Sequence, residues 1–456
     1  MTALYDKKVA IVGAGLAGSE AALFLSKKSI HVTLFEMRDK VKTHVHKTNK
    51  FAELVCSNSF KSTKENSAAG LLKVELDLLD SSLFNIAKAT SVDAGGALAV
   101  DRELFSNQVT KEIQGNDFID IKNIEVKNLE DLSNFDAIIL ATGPMTSDSL
   151  ASYVKEKVGQ DYFHFYDAAA PIVEAESLDL SILFQQNRYE DSNKTNGDYL
   201  NAPFEKEDYD NFIDELISAK RVILKDFETK ELFQACQPIE EIAKKGHDAP
   251  RFGAMKPVGI IDPRTSRRPW AVVQLRAENV EKTAYNLVGF QTNLTFSEQK
   301  RVFSMIPGLK NAEFSRFGVM HKNLFLNAPS LIDTSLMCEK LSLRDKTPIF
   351  VAGQFSGTEG YVEAIRSGLH AAISVECLLK DITVPSLPAK TIFGALINYA
   401  TNPNTEKYQP MHVNFGILPP LEKRIKNKGE RYSQFAKRAN DSMIDYKKEL
   451  EALDLI

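Results

Sequence analysis

The chain has 456 residues, 43% hydrophobic and 26% charged, the composition of an ordinary soluble globular protein with room for two or three domains. That excludes a disordered or fibrous class. The first apolar run, Val9 to Leu16, is too short to span a bilayer and has no cleavage-type site, so neither a membrane nor a secreted protein is expected and a cytoplasmic one is. The formal net charge of −5 argues weakly against a nucleic-acid partner, although phosphate binding depends on local potential.

Taken in chain order, the first unit reads strand, turn, helix, strand: Lys8 to Val12, then Ala17 to Lys27, then His31 to Phe35 ending in Glu36. A polar loop (Asp39 to Lys50) precedes an amphipathic helix over Leu71 to Leu79. Ala94 to Ala97 is a glycine turn ahead of a helix beginning near Asp101, and Phe118 to Val126 reads as a strand. The apolar run Ala137 to Ala141 fits a buried parallel strand. Beyond about residue 165 the character changes, with polar turns at Asp191 to Asp198, an acidic helix over Lys206 to Ile217, and strands at Trp270 to Gln274 and Asn286 to Gln291. A strand–turn–helix pattern returns at Ile349, with a helix over Tyr361 to Ile373. The expected fold is α/β: a discontinuous Rossmann-type domain (1–165 and 331–456, the latter with a basic C-terminal helix) carrying an inserted α+β domain (166–330).

Four cysteines stand at 56, 236, 338 and 377 with no close pairs, so neither a disulfide framework nor a metal site is expected. Two stretches are locally basic. Lys244 to Arg276 holds eight Lys or Arg against two acids, and Glu422 to Arg438 seven against two.

Gly13-Ala14-Gly15-Leu16-Ala17-Gly18 is a GxGxxG turn between a strand and a helix, with Glu36 following 18 residues after Gly18. The glycines permit a tight turn, close approach of a pyrophosphate and close helix packing, while the acid is placed for a ribose hydroxyl. The strand ending Ala141-Thr142-Gly143 and the segment Ile349 to Gly353, followed by Gln354, match flavoprotein segments. With no second GxGxxG to hold a nicotinamide cofactor, FAD is the expected cofactor.

Longer stretches carry a resemblance: Thr48 to Ser59, Gly95 to Arg102, Cys236 with Pro238 to Glu241, Arg251 to Gly253, Met255 to Gly259 and Asp262 to Thr265. Others are Ala271 to Arg276, Asn286 to Thr292, Gly318 to His321, Glu359 to Glu363, and Gln409-Pro410-Met411. Together they resemble the bacterial folate- and FAD-dependent RNA (uracil-5-)methyltransferases over nearly the whole chain. The resemblance implies that a cysteine thiolate attacks carbon 6 of uracil, activating carbon 5. It also implies that methylenetetrahydrofolate supplies the carbon through flavin N5, with NAD(P)H as reductant. Cys236 is the expected nucleophile and Cys56 the second cysteine, the two roles being exchangeable; Cys338 and Cys377 are expected to be inert core.

Tyr361 matches the family tyrosine near the flavin, and His44, His46, Glu359 and Glu363 are further candidates for the same cleft. Arg251, Lys256, Arg264, Arg267 and Arg268 are the expected RNA contacts. The chain departs from the family pattern at Ala202, Ala235, Gln237 and Trp270. The RNA is either tRNA, at its T-loop uridine, or 23S ribosomal RNA. A flavin oxidoreductase of a small molecule, and the flavoprotein partner of wobble-uridine modification, are the alternatives.

Overall fold

The computed structural model describes residues 6–43, 45–159, 163–188, 197–222, 237–343, 347–405 and 408–456. His44, Cys236 and most of the polar turns at 191–198 lie outside the described residues.

Five short apolar segments form a parallel sheet: β1 (Lys8–Val12), β2 (His31–Phe35), β3 (Ile119–Lys122), β4 (Ala137–Leu140) and β5 (Ile349–Val351), in the order β5-β4-β1-β2-β3. The register runs Val9 against both Val32 and Ala137, and Ile349 against Ile138. Val9, Ala10 and Ile11 are buried, as is all of β4, because helices cover both faces, and the strands accordingly read as continuous apolar runs. Helices α1 (Leu16–Lys27) and α2 (Tyr361–Leu379) cross with their backbones touching: a Cβ on Gly368 would lie 2.1 Å from the Ala17 carbonyl oxygen. This is a Rossmann-type sheet. From β1 the chain runs to β2 on one side and later to β4 and β5 on the other, so the strand order reverses at β1. A crevice opens there at the carboxyl ends, where Gly13, Glu36, Gly143 and Gly353 emerge.

The second sheet is antiparallel, in the order Phe184–Gln185, Tyr199–Phe204, Ala271–Ala277, Ala284–Leu287, Ile172–Glu174, Phe314–Arg316. Its core draws on residues from Val173 to Ala312, whereas the core of the parallel sheet takes residues from Val9 to Val158 and from Leu326 to Leu455. A two-stranded ladder, Phe163–Ala168 against Met320–Phe325, carries the chain out and back.

Several elements differ in extent from their sequence pattern. The strand expected over Phe118 to Val126 stops at Lys122, where Ile124 N turns back to the Lys122 carbonyl. The strand expected to run to Gln291 ends at Leu287, before Gly289 takes φ +79°. The helix from Tyr361 continues to Leu379, and its nearly complete burial leaves no polar face to mark its length. Strands Ser59–Ser62, Ser91–Val92 and Ala97–Val100 are too short to show a period. The basic C-terminal segment leads into helix Lys428–Ala452, capped by the Asn427 side chain on Glu430 N. Among the described residues no helix is long and apolar enough to cross a membrane, and no group of three His, Cys, Asp or Glu could hold a metal.

Candidate active site

The fingerprint turn is built as its residues dictate. Gly13 has φ +103°, and a Cβ there would meet the Ala141 carbonyl oxygen at 2.6 Å. A Cβ on Gly18 would lie 1.8 Å from the Gly13 carbonyl oxygen, so only glycine lets α1 start this close to β1. Gly15 has nothing within 4 Å of where its Cβ would be, which leaves its backbone open to a ligand at the helix N-terminus.

The Glu36 carboxylate accepts from Ala14 N at 3.0 Å and from Arg38 N, Nε and Nη2 at 3.0, 2.9 and 3.2 Å. Burial favours its neutral form, but the Arg38 charge and these hydrogen bonds outweigh it and hold the carboxyl below its ordinary value. Arg38 Nη1 is buried without a hydrogen-bond partner and faces Glu53 at 3.9 Å. Glu36 and Arg38 line a cavity of about 540 Å³ with Gly13, Gly15, Thr142 and Met145.

A larger cleft of about 1550 Å³ continues from it, sharing Gly15, His46, Thr142 and Met145. Its walls include Cys56, Gln291, Gly353, Gln354, Tyr361 and His412. Leu16 and Ala17 of α1 and Tyr361 and Ala364 of α2 also line it, so two helix N-termini bring their positive ends to one space. Asn323, from the connecting ladder, lines the cleft with a buried Oδ1 that has no partner. An open glycine turn, an orphaned guanidinium nitrogen and an orphaned amide oxygen along one continuous trough fit an elongated dinucleotide such as FAD.

The Cys56 segment is clamped from several directions. Tyr361 Oη accepts from Cys56 N at 2.8 Å and Ser57 N at 3.1 Å. Arg102 Nη1 donates to the Leu54 carbonyl and Arg316 Nη2 to the Val55 carbonyl. Asn58 Nδ2 donates to the Val100 and Ala277 carbonyls at 3.0 Å each, and Arg276 Nε donates to Asn58 Oδ1 at 2.9 Å. Arg102 also forks onto Glu278 Oε2 at 3.0 and 2.8 Å. The loop is therefore a joint between the two sheets.

The electrostatics follow from this crowding. Burial discourages the Arg102 charge, yet Glu278 outweighs it and strengthens the cation; burial, with Arg102 as a neighbour, weakens that of Arg316. Both guanidiniums lie within electrostatic reach of the Cys56 sulfur. Burial pushes the Tyr361 hydroxyl well up, keeping it neutral. Burial and Arg38 push His46 down to about 4, and its Nδ1 pairs with Thr43 Oγ1 at 2.7 Å. Burial also lowers His412. Cys338 and Cys377 are fully buried, and burial lifts each thiol to about 11, which matches inert core cysteines.

The expected residues thus fall into distinct groups. Gly13, Gly15, Leu16, Ala17, Glu36, Cys56, Gly143, Gly353, Gln354 and Tyr361 surround the joined cavities, with His46 and Glu359, while Ala14 and Gly18 line neither. Glu363 is buried behind the wall, accepting from Val413 N at 3.1 Å. Of the basic residues, Arg251 sits over Trp270, its guanidinium carbon 3.6 Å from the ring centroid, and Nε donates to the Trp270 carbonyl. Arg264 is held by Asp262 through two bonds of 3.0 and 2.7 Å. Arg267 and Arg268 are exposed and Lys256 half-buried. Sequence reasoning passed over Arg38, Arg102, Arg276, Glu278, Arg316 and Asn323. Arg102 and Arg276 close two of the segments quoted above, yet their role as cross-links appears only once the two sheets are docked.

The family model described as "Glucose inhibited division protein A" matches residues 8–383. The chain is 49% identical over 433 residues to the methylenetetrahydrofolate--tRNA-(uracil-5-)-methyltransferase TrmFO of Carboxydothermus hydrogenoformans, covering 95% of this chain and 97% of that one. It is 47% identical over 436 residues to the protein of the same name from Fusobacterium nucleatum subsp. nucleatum, again covering 95% and 97%. Among solved structures, Aquifex aeolicus GidA in its form II crystal matches with a TM-score of 0.67 at 16% identity, over 99% of this chain and 77% of that one, a likeness of fold.

Proposed function

The chain belongs to the Glucose inhibited division protein A family, alongside its methylenetetrahydrofolate--tRNA-(uracil-5-)-methyltransferases, and from that premise we infer the work of each part of the cleft. The activity is FAD- and methylenetetrahydrofolate-dependent methylation of carbon 5 of uracil in tRNA. The uridine we assign is that of the T-loop, and the compartment the cytoplasm. We divide the labour between residues 1–165 with 331–456, which hold the flavin, and 166–330, which present the RNA.

Gly13 to Gly18, with Arg38 positioned by Glu36, would hold the adenosine and pyrophosphate end of FAD, and the wall from Gly353 to Tyr361 the flavin end. When bound, the flavin relays the one-carbon unit of the folate and supplies reducing equivalents drawn from NAD(P)H. The protein's own task is to make carbon 5 nucleophilic. A thiolate adds to carbon 6, and the electron pair of the 5,6 double bond moves onto the carbonyl oxygen as an enolate. After carbon 5 has been alkylated, its proton leaves and the thiolate is expelled, which restores the double bond.

Cys236 is our nucleophile. It stands three residues before Ile239, whose N donates at 2.7 Å to the carbonyl of Gln291, a residue of the cleft wall. That closeness in the chain to a residue held against the cleft wall, together with the family resemblance, supports the assignment. Cys56, clamped beside Arg102 and Arg316, is the partner that shields the reactive carbon. The observation that carries the reading is this joint, where Gln291, beyond the antiparallel sheet, lines one cleft with Cys56, Tyr361 and the fingerprint turn.

Covalent trapping tests it. With tRNA containing 5-fluorouridine, the wild type and Cys56→Ala are expected to form the adduct and Cys236→Ala is not. An adduct that survives in Cys236→Ala and disappears in Cys56→Ala would exchange the two roles. Unmodified tRNA and a 23S rRNA fragment assayed side by side test the RNA assignment, with methylation of the rRNA alone as the contrary result.

A further inference from the structure

Phe252 is 83% exposed, the most open of the large apolar side chains among the described residues. Isolated exposed apolar residues are common, but the backbone that carries this ring is tied down. The short turn Ala249–Phe252 is fixed by Arg251 N to the Asp248 carbonyl (3.0 Å), Gly253 N to the Pro250 carbonyl (3.0 Å) and Met255 N to the Pro250 carbonyl (2.9 Å). Pro250 and Met255 are buried on either side, and the preceding Arg251 is locked onto Trp270.

The surroundings are basic. Lys244, Lys245, Arg267 and Arg268 are exposed in the same segment, together with Val258 and Ile261. The segment's two acids are each engaged by an arginine, Asp248 by Arg251 at 3.4 Å and Asp262 by Arg264 at 2.7 Å. Asp210 and Asp214 of the acidic helix face His247 at 3.8 and 3.5 Å, and Glu241 faces Lys244 at 4.0 Å. The segment's exposed cations that pair with no acid among the described residues are Lys245, Arg267 and Arg268. The segment also abuts the cleft wall: Ala254 packs on Gly289, where an added Cβ would lie 2.7 Å from it, and Gln291 of the wall follows two residues later.

A solvent-facing aromatic ring on a fixed turn, with exposed cations in the same segment, suits a nucleobase, whose face stacks on the ring while phosphates meet the cations. We propose that Phe252 is a stacking platform for an unpaired base of the RNA, beside the entrance of the cleft. This rests on the RNA-methylating reading above. Phosphate contacts alone carry little positional information; a base seated on Phe252 fixes which stretch of the strand stands at the cleft.

The test uses the full-length, FAD-loaded protein with unmodified tRNA transcript, comparing the wild type with Phe252→Ala, Phe252→Trp and the double variant Arg267→Ala/Arg268→Ala. Dissociation constants are measured across a potassium chloride series. Phe252→Ala is expected to weaken binding roughly tenfold or more, with bound FAD and the salt slope unchanged. Phe252→Trp is expected to retain affinity, and its indole emission to be quenched when tRNA binds. The arginine double variant is expected to weaken binding and flatten the salt slope by roughly 1 to 2. Phe252→Ala binding within twofold of the wild type overturns the proposal, as does a loss accompanied by a changed salt slope, lost FAD or an altered oligomeric state. A wild type that does not bind tRNA at all overturns the RNA reading itself, a different result from an unaffected Phe252 variant.

Discussion

Tyr361→Phe removes a single oxygen, and the structure sets out what that oxygen does. It is the acceptor for Cys56 N at 2.8 Å and Ser57 N at 3.1 Å. An unsatisfied buried donor costs about 1–3 kcal/mol. The loop is half-buried, so water can replace part of this, and the net cost for the pair of donors is about 2–3 kcal/mol. The flanks stay held, because Arg102 still binds the Leu54 carbonyl and Asn58 the Ala277 carbonyl. The cost therefore falls on the order of residues 56–57 rather than on global unfolding. If turnover requires the clamped loop, the same energy amounts to roughly 30- to 150-fold in rate. The assay is tRNA methylation under saturating folate and NADPH, paired with hydrogen exchange of the loop amides. The expected result is faster exchange at positions 56 and 57 and a fall in kcat of that size, with FAD content and the KM for tRNA little changed. A variant with kcat within threefold of the wild type, or with unaltered exchange, would refute the reasoning.

Gly18→Ala forces a Cβ to within 1.8 Å of the Gly13 carbonyl oxygen, so the variant is expected to fold with native circular dichroism but purify nearly colourless, its FAD binding weakened at least roughly tenfold. Arg102→Ala leaves Glu278 buried without the guanidinium that forks onto it; a loss of about 3–5 kcal/mol is expected by urea unfolding, and Arg102→Met/Glu278→Leu should recover much of it. Glu20 is buried, and burial lifts its carboxyl to about 7, against hydrogen bonds from Ser82 N and Leu83 N. Its folded-state value lies above the ordinary 4.5, so its contribution to stability is full below pH 4.5 and is lost as pH rises toward 7. That is on the order of 3 kcal/mol. Glu20→Gln should flatten this part of the stability–pH curve, and an unchanged curve would contradict the assignment.

The parallel half was legible because its signals are local. Alternation of apolar run, glycine turn and helix fixes β1, α1 and β2, and the three glycines of the fingerprint have steric duties that any reader of Gly13, Gly15 and Gly18 can anticipate. The cleft wall from Gly353 to Tyr361 was legible for the same reason, since the two residues flank a strand-to-helix return. What escaped was tertiary. Arg102, Arg276 and Arg316 look like ordinary surface charges in the chain, and only the docking of strand Ala271–Ala277 against Asn58 turns them into clamps around Cys56. The basic segment at 244–276 divides in a way composition does not reveal, with Arg251 and Arg264 committed to neighbours and Arg267 and Arg268 left at the surface.

The central claim is that one cleft, lined from both halves of the chain, delivers a folate carbon to uracil. Its most direct test is to incubate the purified yellow protein with methylene-labelled methylenetetrahydrofolate, NADPH and unmodified tRNA, and then digest the RNA. The account predicts label in 5-methyluridine at the T-loop position. Labelled folate consumed while the tRNA stays unlabelled, or label that enters RNA from another methyl donor, would contradict it.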